Sequence, residues 1–320
     1  MVKRLLFTIG FVLITVLFLD FSIGKILRYF YFRQVAGEDY RTTYSMEETK
    51  ADVLVFGSSR AVYHYVPEVF EDSLNLSFYN TGRGGQFIFY QTAVLKSVLK
   101  RYTPKLVILD FMGSFEKGED YYDRMSCLLP YYANHPEIRD LVELRSPFEK
   151  IKLVSGIYPF NSQFLNIAVG NLEINKKRKP DNKGYVAFHN ELTEDIDSLE
   201  TKSIYEIDSN KVVVFKEFLL KTRSAGIPII VIFSPVYYLY DQDYSVSICR
   251  DICRQEKVPF YDFSKDPIFL NKKKLFADNL HVNHKGAILL SQIVINKIKQ
   301  SKCAKYPDYD LIVRNNVSKK

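Results

Sequence analysis

The sequence predicts an α/β fold: a three-layer α/β/α sandwich around a mostly parallel, five-stranded sheet. Three observations carry that prediction. Short apolar runs rich in Val, Ile, Leu and Phe recur along the chain and read as buried strands. Between several of them lie longer stretches with apolar residues at helical spacing. A parallel partner strand needs such a crossover, so the alternation builds βαβ units. Finally, glycine-rich and polar segments follow the apolar runs directly, where sheets of this kind gather their functional residues. Apolar residues make up 47% of the 320 and charged residues 25%, which suits a chain that buries its own core and argues against disorder.

The elements follow in order. Lys3 and Arg4 precede an apolar run over 5–19, which Asp20 interrupts and residues 21–24 extend weakly. The run is longer than most signal-peptide cores, slightly short for a comfortable span, and lacks a small-residue cleavage site after it. It reads as an uncleaved signal anchor within 1–33, ahead of a domain over 34–320. Positive charge before the segment favours an N-terminus inside, and so an extracytoplasmic domain; Lys25, Arg28 and Arg33 weigh against that bias. Residues 26–52 read as a short helix and a polar connector. Strands are predicted at 51–56 (ADVLVF), 74–79 (LNLSFY), 105–110 (KLVILD), 228–233 (PIIVIF) and 259–263. Helices are predicted at 86–101, stopped by Pro104, at 210–224, ended near Gly226, and at 283–300. The stretch 115–206 breaks the alternation and reads as an insertion over the carboxyl ends of the strands, a lid or substrate wall.

Two segments carry the chemistry. Gly57-Ser58-Ser59-Arg60 follows the first predicted strand, and Asp278-Asn279-Leu280-His281 precedes the last predicted helix. A serine hydroxyl is a weak nucleophile at neutral pH and needs a base, which in turn needs an orienting acid. Asp278 and His281, three apart, can face the same way, which leaves one imidazole nitrogen for Ser59. The transition state is an oxyanion and needs preorganised N–H donors. Asn80-Thr81-Gly82-Arg83-Gly84-Gly85-Gln86, a glycine turn ahead of a helix, can supply them. His284 competes with His281 for the role of base. His64, His135 and His189 read as surface or packing residues. Arg60 and Arg83 are candidates for contacting an anionic substrate, with solvated loop positions as the alternative.

Other features exclude classes. Cys249 and Cys253 share a face of a predicted helix, but no second pair completes a zinc site; with Cys127 and Cys303 they read as structural or free thiols. No metal or cofactor is expected. The net charge is +7, yet Lys176-Lys177-Arg178-Lys179 and Lys272-Lys273-Lys274 are the only tight basic runs. No zinc-finger or RNA-recognition signature accompanies them, so no nucleic-acid partner is expected. Tyr and Phe are abundant (23 and 24), which suits core packing first and a sugar-stacking groove second.

The order of these segments resembles the SGNH/GDSL hydrolase superfamily over about 51–300, apart from the insertion. The resemblance implies a flavodoxin-like sandwich. It implies Ser59 as nucleophile, Asp278 and His281 as the remaining triad, and the N–H groups of Ser59 and Gly85 as the oxyanion hole, with Gly82 an alternative register. Val282-Asn283-x-x-Gly286 also follows the family's pattern. The family's third motif, Gly-x-Asn-Asp, is replaced by Asp110-Phe111-Met112-Gly113-Ser114, so its oxyanion asparagine is missing. An anchor ahead of such a domain is similar to members that modify envelope polysaccharides. The implied activity is ester hydrolysis or O-acyl transfer on an extracytoplasmic, acylated carbohydrate polymer. The alternative is an inactive relative that binds glycans or scaffolds an assembly.

Overall fold

The computed structural model describes residues 1–112, 114–172, 181–193, 205–237 and 244–301. The basic run at 176–179 and Cys303 lie outside the described residues. The chain forms two compact units, one of Met1–Glu47 with Glu119–Asp181, the other of Glu48–Gly118 with Asn182–Lys320.

The second unit holds the sheet. Its strands are β1 (Val53–Phe56), β2 (Phe78–Asn80), β3 (Leu106–Asp110), β4 (Ile229–Phe233) and β5 (Phe260–Asp262). They lie in the order β2-β1-β3-β4-β5, every pair parallel. Every residue of β1, β3 and β4 is buried, as a parallel sheet covered on both faces requires. Val53 and Val55 pack on one side with Phe70, Leu290 and Val294, which come from the helices Pro67–Leu74 and His284–Gln300. Phe56 points to the other side, edge-on to Phe218 at 5.2 Å, which belongs to the helix Ser209–Ser224.

Register then decides where function can sit. Val55 pairs with Asn80 and Ile108, Phe56 with Leu109, and Asp110 with Ile232. The carboxyl ends of four strands therefore align, and the segments after them leave from one edge. The strand order reverses between β1 and β3, the switch point where sheets of this kind gather their functional residues. Ser59 follows β1 and Asp110 ends β3, so both border it.

The second strand is displaced from its predicted span of 74–79. Pro67 opens a helix that runs to Leu74, and Asn75 closes it in the left-handed region (φ 54). Proline at a helix start and asparagine at its end terminate the element cleanly, so pairing begins only at Phe78. The stretch predicted as an insertion is divided too. Residues 182–193 thread back through the sheet unit: Asn80 N–H donates to Lys183 O (2.9 Å), Val186 N–H to Val62 O (3.0 Å) and Leu192 N–H to Phe276 O (2.8 Å).

In the first unit the apolar helix runs on to Tyr31 and spans Val2–Tyr31. Among the described residues it is the one helix long and apolar enough to cross a membrane, as an anchor or a signal sequence would. Tyr31 is buried near the helix end, 5.9 Å from the Tyr131 ring and 5.7 Å from Phe160.

Candidate active site

Ser59 takes the first position of a short helix, Ser59–His64, directly after β1. The turn into it leaves no room for a side chain at Gly57: a Cβ there would lie 2.6 Å from Ala61 Cβ and 2.9 Å from Asp110 O. That tightness brings the serine to the sheet edge, partly exposed.

The base and acid arrive from the other end of the chain. His281 Nε2 lies 2.8 Å from Ser59 Oγ, and His281 Nδ1 lies 2.9 Å and 3.0 Å from the two Asp278 oxygens. Asp278 also accepts from Leu280 N–H and His281 N–H, both at 2.8 Å. One carboxylate thus folds its own loop and holds the imidazole. Partial burial works against the Asp278 charge, but the His281 hydrogen bond, the His281 charge and the two backbone donors outweigh it and keep the carboxyl below its usual range;.

The loop is clamped from below. Asn283 caps the closing helix by accepting from Gly286 N–H (3.1 Å), and its amide donates to Lys274 O and Phe276 O. A Cβ on Gly286 would sit 2.3 Å from Leu275 O, so only glycine fits this crossing. The spacing Asn283-x-x-Gly286 is therefore a mechanical requirement for presenting His281. His284 turns away: its Nδ1 meets Tyr185 OH at 2.8 Å.

His64 is fully buried and its Nε2 accepts from Val282 N–H at 3.1 Å, one residue past the base. Its ring lies 6.0 Å from that of His281. Burial first, then the charges of His281 and Arg60, push His64 well below the ordinary imidazole value, so it stays neutral as an acceptor. This has a consequence for stability. The unfolded chain takes up a proton at His64 as pH falls through about 6.5, while the folded chain does not. More protons on the unfolded state mean lower stability at lower pH. We expect His64 alone to contribute a slope of up to ~1.4 kcal/mol per pH unit just below pH 6.5. Thermal melts of the wild type and His64→Gln at pH 5.5, 6.5 and 7.5 test this, since glutamine can still accept from Val282. Parallel pH profiles for the two proteins would refute the assignment.

Behind the serine lies a buried polar group. Asp110 Oδ2 accepts from Tyr65 OH (2.8 Å) and from Ser234 OH. Arg60 donates to Phe111 O (3.0 Å), lies over the Phe233 ring at 4.4 Å, and approaches Asp110 Oδ1 to 3.8 Å. That last distance is too long for a hydrogen bond, and Arg60 Nε and Asp110 Oδ1 each lack such a partner;. Arg60 is 3% exposed, so its charge is turned inward, away from any substrate in solvent. Arg83 is also buried, at 7%.

The glycine turn is tied to the nucleophile segment. Asn80 Nδ2 donates to Ala61 O (2.5 Å), Gly82 N–H to Asn80 Oδ1 (2.9 Å) and Arg83 N–H to Gly57 O (3.3 Å). Gly85 adopts φ 68 within this turn. After β3, Met112 Sδ lies 3.9 Å from Ser59 Oγ; a thioether cannot donate a hydrogen bond.

Sequence reasoning passed over two aromatic residues. Tyr63 stacks on Phe188 (centroids 4.0 Å apart, planes at 23°), and the Tyr63 ring stands edge-on to His281 at 5.3 Å. Both are half-buried. Phe188 lies within the stretch that reads as an insertion, so nothing local signals its place beside the base.

Fold and site together define a class: a parallel α/β domain carrying serine, histidine and aspartate in a hydrogen-bonded row at the carboxyl edge of its sheet. Solved structures to which the chain is similar include TesA (12% identity, 77% of this chain and 97% of that one, TM-score 0.39). They also include a lipase/acylhydrolase from Enterococcus faecalis (12% identity, 77% and 94%, TM-score 0.38) and an acetyl xylan esterase (12% identity, 77% and 98%, TM-score 0.38). No family model and no curated protein matches the sequence.

Proposed function

We propose that the sheet unit is a serine hydrolase or O-acyltransferase of the SGNH/GDSL kind, acting on an ester. The observation that carries this reading is the 2.8 Å contact of Ser59 Oγ with an imidazole whose other nitrogen is held by Asp278. Ser59 Oγ attacks the acyl carbon while His281 Nε2 takes its proton. The carbonyl oxygen becomes an oxyanion, received by the N–H groups of Ser59 and Gly85. Collapse breaks the ester C–O bond, and His281 returns the proton to the departing alcohol. Water or a sugar hydroxyl then attacks the acyl-serine, again with His281 as base. Every proton and electron pair is handled by these groups, so the reading calls on no cofactor.

An acylated carbohydrate outside the cytoplasm is the proposed substrate. The Tyr63–Phe188 stack beside the base suits the apolar face of a sugar ring, and the N-terminal apolar helix suits an anchored enzyme. The presence of Met112 near the serine, in place of a donor, favours a second reading: a glycan-binding protein that has lost turnover.

A fluorophosphonate probe tests the assignment. It should label the full-length wild type and leave Ser59→Ala unlabelled. Equal labelling of both would remove Ser59 from the chemistry. An unlabelled wild type that leaves p-nitrophenyl acetate intact, yet binds glycan, would support the second reading.

A further inference from the structure

We propose that residues 144–172 form a collar embedded in the membrane interface, with acyl chains covering its exposed apolar side chains. The proposal rests on the reading of Val2–Tyr31 as a membrane-crossing helix, and all of it lies within the first compact unit.

The first observation is Asp20. It is the only acid inside the apolar run and would be costly in hydrocarbon without partners. Here it has three: Ser155 OH (2.6 Å), Gly156 N–H (2.6 Å) and Ile157 N–H (3.3 Å). The two segments also press together at glycines. A Cβ on Gly24 would lie 2.4 Å from the Gly156 carbonyl carbon. Further along the helix, Arg28 donates to Pro130 O (3.0 Å), and Asn171 donates to Phe30 O (2.8 Å). The distal part of the helix is thus built into a fold, which a cleaved signal peptide is not.

These contacts set a depth. The charges next to the apolar run are Arg4 before it and Lys25 after it. About 20 helical residues cross a hydrocarbon core of about 30 Å, which matches residues 5–24. At 1.5 Å per residue, Asp20 then lies roughly 6–8 Å inside the far boundary. The loop 155–157, hydrogen-bonded to it, lies at the same depth.

The surface around that loop agrees. Val154 is 81% exposed, Leu165 75% and Ile151 70%, with Phe148 and Leu172 also well exposed. Large apolar side chains at such exposure need a covering. The apolar helix on which the segment docks is itself bare over its first half, so the apolar surface is continuous. Charge points the same way. Glu149 is the only acid between 144 and 172, and it is buried, bonded to Arg145 (2.5 Å) and Tyr158 OH (2.8 Å). Lys150 and Lys152 remain on the surface, where flexible stems let ammonium groups reach headgroups while the stems stay in the apolar layer.

Depth quenching tests the proposal on the full-length protein in phosphatidylcholine–phosphatidylglycerol vesicles. An NBD fluorophore is placed on one introduced cysteine at Val154, Leu165, Ile14 or Asn134, in a Cys303→Ser background where the remaining native thiols, Cys127, Cys249 and Cys253, are replaced by alanine. Lipids spin-labelled at a shallow acyl position should quench emission at 154 and 165 at least as strongly as lipids labelled deep in the chain, should show the reverse preference at 14, and should leave 134 bright. Quenching at 14 with bright signals at 154 and 165 would overturn the collar and leave the anchor standing. No quenching at 14 would overturn the anchor and the collar with it. A blue-shifted yet unquenched signal at 154 and 165 would mean that a protein partner or second copy covers the face, which also overturns the lipid assignment.

Discussion

A His281→Ala variant is expected to lose about 10²–10⁴ in kcat on a model ester, the ordinary contribution of a positioned general base. The reason is geometric. Ser59 Oγ has one imidazole nitrogen at 2.8 Å, and among the described residues alanine leaves it only Met112 Sδ at 3.9 Å, which cannot act as the base. Asp278→Asn should also lower kcat, because an amide holds the wrong imidazole tautomer and cannot stabilise the imidazolium. Its effect should be the smaller one, since the Asp278 side chain is 47% exposed against 15% for His281, and water can replace part of what it supplies. The double variant should be no worse than His281→Ala, since the two act as a unit. Melting temperatures of all three should stay near that of the wild type. A His281→Ala protein retaining more than roughly a tenth of the activity would show that this imidazole is not the base.

The second large effect is on stability. Asp110→Ala is expected to cost about 3–5 kcal/mol, the penalty for leaving a buried charge without its partner. Asp110 is fully buried and Arg60 nearly so. Removing the carboxylate strips Tyr65 OH and Ser234 OH of their acceptor and leaves the guanidinium with only Phe111 O and the Phe233 ring. For a unit of this size the loss corresponds to a melting temperature lower by roughly 6–20 °C. Arg60→Met should cost less. Burial already pushes the Asp110 carboxyl upward, against the pull of Arg60 and the two hydroxyls, so without Arg60 it can take a proton and remain bonded to Tyr65 and Ser234. Asp110→Asn keeps an acceptor for Tyr65 and Ser234 but leaves the buried Arg60 charge unpaired, so its cost should fall between the other two;. An Asp110→Ala melting temperature within ~2 °C of the wild type would refute this account.

Much of the fold was legible because each strand is a short apolar run closed by a turn residue. The runs over 105–110 and 228–233 match β3 and β4 almost residue for residue, since strands buried on both faces have no polar positions to blur them. β2 was less legible. Its apolar neighbours Leu74 and Leu76 belong to the preceding helix end and turn, and hydrophobicity alone cannot tell a strand start from the end of an amphipathic helix. The inward turn of Arg60 had no local sign either. Arginine beside a serine reads as a surface contact, and its burial depends on Asp110 and Phe233 arriving from two other strands.

What the sequence by itself determined is what short range controls: the apolar runs, and the Asp278–His281 pair, where a three-residue separation places acid and base in one turn. What only the tertiary structure decided is everything that depends on distant segments meeting. The contact of Ser59 with His281 joins positions 222 residues apart. Tyr63 beside Phe188 and Asp20 beside Ser155 are of the same kind. Such pairs form when the parallel register and the helix packing bring them together, and no neighbouring residue records that meeting.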